Sequence, residues 1–418
     1  MGLLRTAACA WLACLAACAG AAETSGELRA RWDARDAGRR GPLAEANALA
    51  PGIAPPAASA AVAEAELRGR WRMLSANVLL SSARDEGGGT QSFARFNELY
   101  ASGDFGAWQT SAGKKIVGWD VGYGFRPNDV VQQEERRTLL ALTQEGRPLL
   151  QLEHFDAERA VSLVWVNPQH LHDADDAQRF ARESALAMRG YVRDGAVDWH
   201  GFARIGQHTG ASLGAAVAWV ATESLELHAS ARVLQRHDGS RFDDAAGVAP
   251  VTANPWRVAT LGGTDQWLAG ASWTGALQQS VIVEWWHDGT APADAEWDRW
   301  FARNAALGAL AGRPGVPAGL LRGIGGNLAW QASPFGSTSL RRDNIFVRLA
   351  WQPDRWVVSL DALVTPADRG RVITAAVQWQ GDRVRVNAAW RVNAGPSSAV
   401  LASLPQRATG VLAAAWAF

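Results

Sequence analysis

Apolar and polar residues alternate with period two in one segment after another of this chain. Trp356, Val358, Leu360, Ala362 and Val364 fall on one face of an extended segment, with Arg355, Ser359 and Asp361 on the other. The split recurs as Val384, Val386, Ala388, Trp390 and Val392 against Arg385, Asn387, Arg391 and Asn393. Earlier it appears as Leu225, Leu227, Ala229, Ala231 and Val233 against Glu226, His228, Ser230 and Arg232, and as Val197, Trp199, Ala203 and Ile205 against Asp198, His200 and Arg204. Turn signals join these runs, among them Gln352-Pro353-Asp354, Pro366-Ala367-Asp368-Arg369-Gly370 and Gly381-Asp382. The pattern predicts antiparallel strands, each with one oily and one wet side, connected as hairpins.

A soluble sandwich also alternates, so three further features decide the class. The strands run to about ten residues, the length of a tilted membrane crossing rather than the usual five or six. The 21 tryptophans lie mostly near strand ends or on the apolar face, where interfacial girdles form. The chain stops on Leu412, Ala414, Trp416 and Phe418, an alternating strand with a terminal aromatic, which resembles the assembly signal of outer-membrane barrels. No segment after the leader approaches 18 uninterrupted apolar residues, which excludes helical spans. The expected fold is therefore all-β, a transmembrane antiparallel β-barrel of about 14–18 strands whose lumen is aqueous unless loops fill it.

Two segments break the pattern. Residues 35–66 are rich in Ala and Pro and read as a loop; residues 294–310 place Trp297, Trp300, Phe301, Asn304 and Leu307 at helical spacing. Counting strands back from Phe418 puts this helical insert at the same end as the C-terminus, where barrel turns are short. Either the insert folds into the lumen as a plug, or a further strand lies near residues 303–312.

The N-terminus supplies an address. Arg5, the apolar run from Ala7 to Ala17 and the small residues Ala19-Gly20-Ala21 form a secretory signal peptide over residues 1–21, leaving residues 22–418 as a single barrel domain in the outer membrane of a Gram-negative cell. Cys9, Cys14 and Cys18 all lie in the leader, so a chain cut before Ala22 has no thiol; a lipoprotein-type cut at Leu15-Ala16-Ala17-Cys18 is the alternative. The 41 basic and 41 acidic residues balance, which gives no basis for nucleic-acid binding. No oligomer-forming feature is visible.

The most distinctive stretch runs from Gly113 to Val131, dense in Gly, aromatics and charge, with Lys114 and Lys115 as the only lysines of the chain. It resembles the Gly-Arg/Lys, Trp, Pro-x-Asp signature of Gram-negative porin-like barrels, including alginate-export-like and hydrophobic-substrate channels, at Gly113, Lys114, Trp119, Pro127 and Asp129. It departs from that signature at Asp120, where a Gly often follows the Trp. The resemblance covers some 40 residues and implies passive transport of small solutes with no cofactor. An in-folded loop carrying Lys114, Lys115, Trp119, Asp120, Arg126, Asp129, Arg136 and Arg137 would then narrow the pore and set its selectivity by charge; a solvated surface loop is the alternative.

Arg68, Arg70 and Arg72 alternate with apolar residues and should form a basic ladder in the lumen, either selecting anions or pairing with acids on neighbouring strands. His170, His172, Asp173, Asp175 and Asp176 gather within seven residues, but a solvated loop fits them better than a metal site. None of the eight histidines has a neighbouring serine in a recognisable catalytic signature. The expectation is a non-enzymatic channel that contacts membrane lipid, small solutes and, through its last strand with Trp416 and Phe418, the barrel-assembly machinery. A closed, partner-binding barrel or, further off, an outer-membrane hydrolase are the competing readings.

Overall fold

A computed structural model describes residues 23–132, 139, 144–168, 183–243 and 254–418. The leader, Arg136 and Arg137, and the His170 to Asp176 cluster lie outside the described residues.

The first strands are β1 (Glu23–Ala37), β2 (Ser59–Trp71), β3 (Leu74–Asp85), β4 (Thr90–Phe105), β5 (Trp108–Lys115) and β6 (Arg147–Phe155). They are followed by β7 (Arg159–Val166), β8 (Ala185–Asp194), β9 (Val197–Gly206), β10 (Gly210–Thr222) and β11 (Leu225–Leu234). After a small hairpin of β12 (His237–Phe242) and β13 (Trp256–Leu261) come β14 (Thr264–Thr274), β15 (Gln279–Asp288), β16 (Asp343–Trp351), β17 (Trp356–Thr365), β18 (Gly370–Gln380), β19 (Val384–Ala394) and β20 (Gln406–Ala417). All but β12 and β13 belong to one 18-stranded antiparallel sheet.

β1 pairs with both β2 and β20, so the sheet closes on itself and leaves no edge with unpaired backbone groups. At the seam, Gly26 and Phe418 exchange backbone hydrogen bonds of 3.0 Å in both directions. Gly26 is there because a Cβ at that position would stand 2.4 Å from the Phe418 ring.

The period-two pattern sorts residues between two environments. Leu80, Leu163, Leu186, Val233, Val283, Leu360 and Leu412 stand exposed on the outer wall, while their strand neighbours turn polar groups into the lumen. Exposed tryptophans gather in two bands on this wall. Trp71, Trp108, Trp199, Trp219, Trp273, Trp356 and Trp416 sit near the short turns, and Trp32, Trp165, Trp285 and Trp390 lie toward the opposite rim. The arrangement is that of an all-β outer-membrane barrel. Among the described residues no helix is long and apolar enough to cross a membrane.

One end of the barrel carries Glu23, Phe418 and the tight turns; the other carries the long connections. There α1 (Pro42–Leu49), α2 (Asp294–Ala311) and α3 (Ala318–Trp330) form a cap. Ala46, Leu307, Ile324 and Leu328 make its core, so the β1–β2 connection reaches across to the β15–β16 connection. Trp297 and Trp300 are fully buried among Phe242, Trp256, Phe335, Val400 and Leu401, and their indole N–H groups donate to the carbonyls of Leu340 at 2.7 Å and Gln331 at 2.9 Å. Helix α2 starts where Glu296 turns back to accept the Ala293 N–H at 2.8 Å.

Several expectations change. Residues 35–66 are not one loop: they hold the end of β1, helix α1 and the first half of β2. Composition hid this because the outward positions Ala61, Ala63 and Ala65 are too small to mark an apolar face against Glu64 and Glu66. Five strands, not an even number, follow the helical insert, so it lies at the long-loop end, away from Phe418. Residues 303–311 belong to α2 rather than to an additional strand. Arg72 has no place in a lumen ladder: it occupies the β2–β3 turn at φ 53°, with its guanidinium 5.1 Å from the Trp71 ring centre.

Candidate functional site

The connection from β5 to β6 turns into the barrel and lies along its inner wall. Gly113, at φ 132°, kinks β5 two residues before the strand ends, at a place where a Cβ would stand 2.3 Å from the Leu99 carbonyl oxygen. Val117, Trp119, Val130 and Val131 then pack on Leu149 of β6, Val164 and Val166 of β7, Ala187 of β8, Phe202 of β9 and Ala216 of β10. These wall residues are apolar on a face that is elsewhere polar, which is how the sequence prepares a landing strip for the loop. Farther along, Phe125 stacks on Trp286 with ring centres 5.7 Å apart, and Tyr123 on Phe346 at 5.8 Å.

Polar contacts fix the register of this docking. The Asp120 carboxylate accepts N–H groups of Val121 at 2.8 Å and Asn128 at 2.6 Å, together with the Ser230 hydroxyl of β11 at 2.7 Å. The Asn128 amide donates to Ser230 Oγ at 2.8 Å and to the carbonyls of Ala215 and Ala231. Asp129 caps the N–H groups of Trp119 at 2.9 Å and Asp120 at 3.2 Å. Arg232, buried on β11, donates to the Pro127 carbonyl at 3.2 Å and to Ser212 Oγ at 2.9 Å. Burial pushes both the Asp120 and the Asp129 carboxyl above the usual range, against the pull of these hydrogen bonds and of Arg126.

The loop tip is gripped by a clamp spread over three strands. His228 on β11, Gly270 on β14 and Glu284 on β15 are direct cross-strand neighbours. With no side chain on Gly270, His228 Nε2 reaches Glu284 Oε1 at 3.0 Å; a Cβ there would stand 2.3 Å from that nitrogen. The Glu284 carboxylate, wholly buried, accepts the N–H of Tyr123 at 2.6 Å and of Gly124 at 2.5 Å.

The candidate residues therefore divide by role. Trp119, Asp120 and Asp129 face the wall and hold the loop, rather than facing a passing solute. Arg126 donates to the Gly122 carbonyl at 2.9 Å and lies 3.7 Å from Asp129. Lys115 turns inward to Gln151 at 3.0 Å and Ser111 at 3.2 Å, beneath the Tyr100 ring. Lys114 pairs instead with Glu145; burial of that carboxyl is outweighed by Lys114 and Arg95, which hold it below the usual range. Sequence reasoning missed His228, Gly270, Glu284, Asn128 and Ser230. One signal was present: Glu284 interrupts the apolar run Val281-Ile282-Val283-Trp285-Trp286.

The remaining lumen wall is polar and largely neutralised. Arg29 pairs with Glu66, Arg348 with Asp361 at 2.9 Å, and Arg204 with Glu183 at 2.6 Å. Near the short-turn mouth, Arg68 and Arg70 border a cavity of about 410 Å³ together with Glu23, Ser25, Ser75, Asn77 and Glu98. Arg68 also pairs with Glu66 at 2.7 Å. Among the described residues no three His, Cys, Asp or Glu side chains gather as a metal site.

No protein-family model matches this chain, and no curated protein does. Solved structures do resemble it. OccAB1 of Acinetobacter baumannii shares 10% sequence identity over 95% of this chain and 96% of its own, with a TM-score of 0.52. A triple mutant of the Rhodopseudomonas blastica porin matches over 95% of this chain and 100% of its own at 10% identity and a TM-score of 0.42. The first likeness supports the fold alone, that of a closed antiparallel β-barrel.

Proposed function

We propose that this protein is an outer-membrane channel through which small polar or amphipathic solutes diffuse, with the connection after β5 narrowing the path. The observation that carries the reading is the loop bolted along the inner wall from β6 to β16. A barrel that served only as an anchor has no need of a buried clamp holding a loop flat against its lumen. The termini and short turns would face the periplasm and the capped loops the exterior, after export by cleavage of residues 1–21. Assembly would proceed from the last strand, with Trp416 and Phe418 as its signal. Lys115, Arg68 and Arg70 add positive charge along the path and favour anions; paired lumen charges elsewhere keep that bias modest.

The closed, partner-binding barrel remains a second reading because the helical cap has two buried apolar clusters at the long-loop mouth. Single-channel conductance of the refolded chain in a planar bilayer separates the two. Discrete current steps support the channel, and a bilayer that stays silent at saturating protein supports the closed barrel.

A further inference from the structure

The hairpin of β8 and β9 carries a group of side chains that the loop does not use. Its register sets Arg189 opposite Phe202 and Tyr191 opposite His200, so these four share the lumen face while Met188, Val192 and Trp199 are exposed on the other. The Tyr191 and His200 rings are 5.1 Å apart, and His200 and Phe202 stack at 6.0 Å with planes 4° apart. The Arg189 guanidinium lies 5.4 Å from the Tyr191 ring centre, and its Nη2 donates to His200 Nδ1 at 3.3 Å. Phe202 is tucked beneath the docked loop; Arg189, Tyr191 and His200 are half-buried beside it.

Arg189 holds no carboxylate and, unlike Arg232, is not spent on the docked loop. Arg29, Arg204 and Arg348 each hold a carboxylate. Among the described residues no carboxylate lies within ion-pair distance of Arg189, and its terminal nitrogens make one hydrogen bond, the one to His200. Two acids stand nearby without touching it: Glu153, whose charge acts on Arg189 across a gap, accepts the Ser162 hydroxyl at 2.6 Å, and Asp198 accepts the Tyr191 hydroxyl at 2.7 Å. A half-buried guanidinium with open donors is a costly feature that a bidentate anion would complete. The aromatic faces next to it suit a flat, apolar group attached to that anion.

We propose that this patch is a subsite for planar carboxylates, with the carboxylate on Arg189 and the ring against Tyr191 and His200. The proposal rests on the lumen being a solute path, and the test is arranged to separate the two. Benzoate, with acetate as the control, is titrated into potassium chloride current carried by the full refolded chain in a planar bilayer. In parallel, benzoate binding to the detergent-folded protein is measured by equilibrium dialysis.

The expected result is that benzoate interrupts the current where equal acetate does not, and that Arg189→Gln weakens the benzoate effect about tenfold, the loss of one charge-assisted contact. Arg189→Lys, which keeps the charge without the planar fork, should fall between. Tyr191→Leu should narrow the preference for benzoate over acetate. Equal responses to benzoate and acetate, or a benzoate response unchanged in Arg189→Gln, overturn the subsite. A silent bilayer refutes the channel alone, and dialysis then decides the subsite: benzoate held by the wild type and lost in Arg189→Gln supports it, and no binding to the wild type overturns it.

Discussion

Replacing Glu284 by Gln tests whether the clamp holds the loop tip. The side chain keeps its shape but loses its charge, and one of its two oxygens becomes an amide that cannot accept. Tyr123 and Gly124 each donate to a separate oxygen of Glu284, so one N–H is left facing a donor while the other keeps a weaker, neutral acceptor. With hydrogen bonds to a buried charge worth about 1.5–3 kcal/mol and an orphaned donor costing about as much, the tip should lose about 3 kcal/mol of docking free energy. That corresponds to about a hundredfold faster amide exchange at Tyr123 and Gly124 if these groups exchange by local opening. Hydrogen-exchange mass spectrometry across residues 117–132 reads it directly. Because the docked loop lies flat on the wall, release would swing it into the path, so the current should flicker more rather than simply rise. Exchange at the tip unchanged from wild type, in a barrel that remains folded, would refute the clamp.

The two lysines should behave differently. Lys115→Glu should shift ion selectivity toward cations, while Lys114→Glu sets a carboxylate against Glu145, loosening the rim with little change in selectivity; reversal potentials in a salt gradient distinguish them. The loop's response to pH has a definite sign. With the Asp120 and Asp129 carboxyls held above their unfolded values, the docked loop binds protons more readily than the released one, so docking weakens as pH rises through the raised range and strengthens as pH falls toward the ordinary aspartate range. Amide protection over residues 119–130, corrected for intrinsic exchange, should rise as pH falls across that interval, and a steady loss of protection over the same interval contradicts it. At the seam, Gly26→Val should lower the yield of heat-modifiable barrel refolded from urea into detergent, where no assembly machinery reads Phe418, and adding Phe418→Ala should restore part of it, since the clash is with that ring; no recovery in the refolded double variant means that the ring contact is not the cause.

The barrel was legible because alternation over long strands such as Val384–Ala394 carries its own geometry: each residue's face follows from its parity. The in-folded loop was partly legible too, since the stretch after Gly113 breaks that parity with glycines and aromatics. Orientation within the lumen was not legible. Asp120 and Asp129 read as pore charges because charge density says nothing about which way a loop lies; only the apolar inward residues Leu149, Val164 and Phe202 reveal that the loop docks face down. Arg72 failed for a local reason, as one residue of turn moves a side chain off the strand's inner face. His228 and Glu284 come together only through strands far apart in the chain, and no spacing rule reaches across that separation.

Much of the loop's docking depends on side chains that are missing. At Gly214 a Cβ would stand 1.8 Å from Asn128 Oδ1, at Gly270 it would meet His228, and at Gly124 it would approach Glu284 Oε2 to 2.9 Å. Gly214 and Gly270 sit within strands, where they weaken the sheet by their lack of packing and their backbone entropy, and Gly124 lies in the loop itself. The chain tolerates that cost because each omission opens a slot for a polar group from another element. Adding one methyl should therefore do more damage than removing several from the outer wall. Gly214→Ala forces Asn128 out of its bonds to Ser230, Ala215 and Ala231, and should raise exchange at Asn128 and Asp129 while leaving the strand pairing of β10 with β9 intact. Val217→Ala, outward on the same strand, should alter neither. If both variants leave the loop equally protected, the slots are incidental and the apolar landing strip alone holds it.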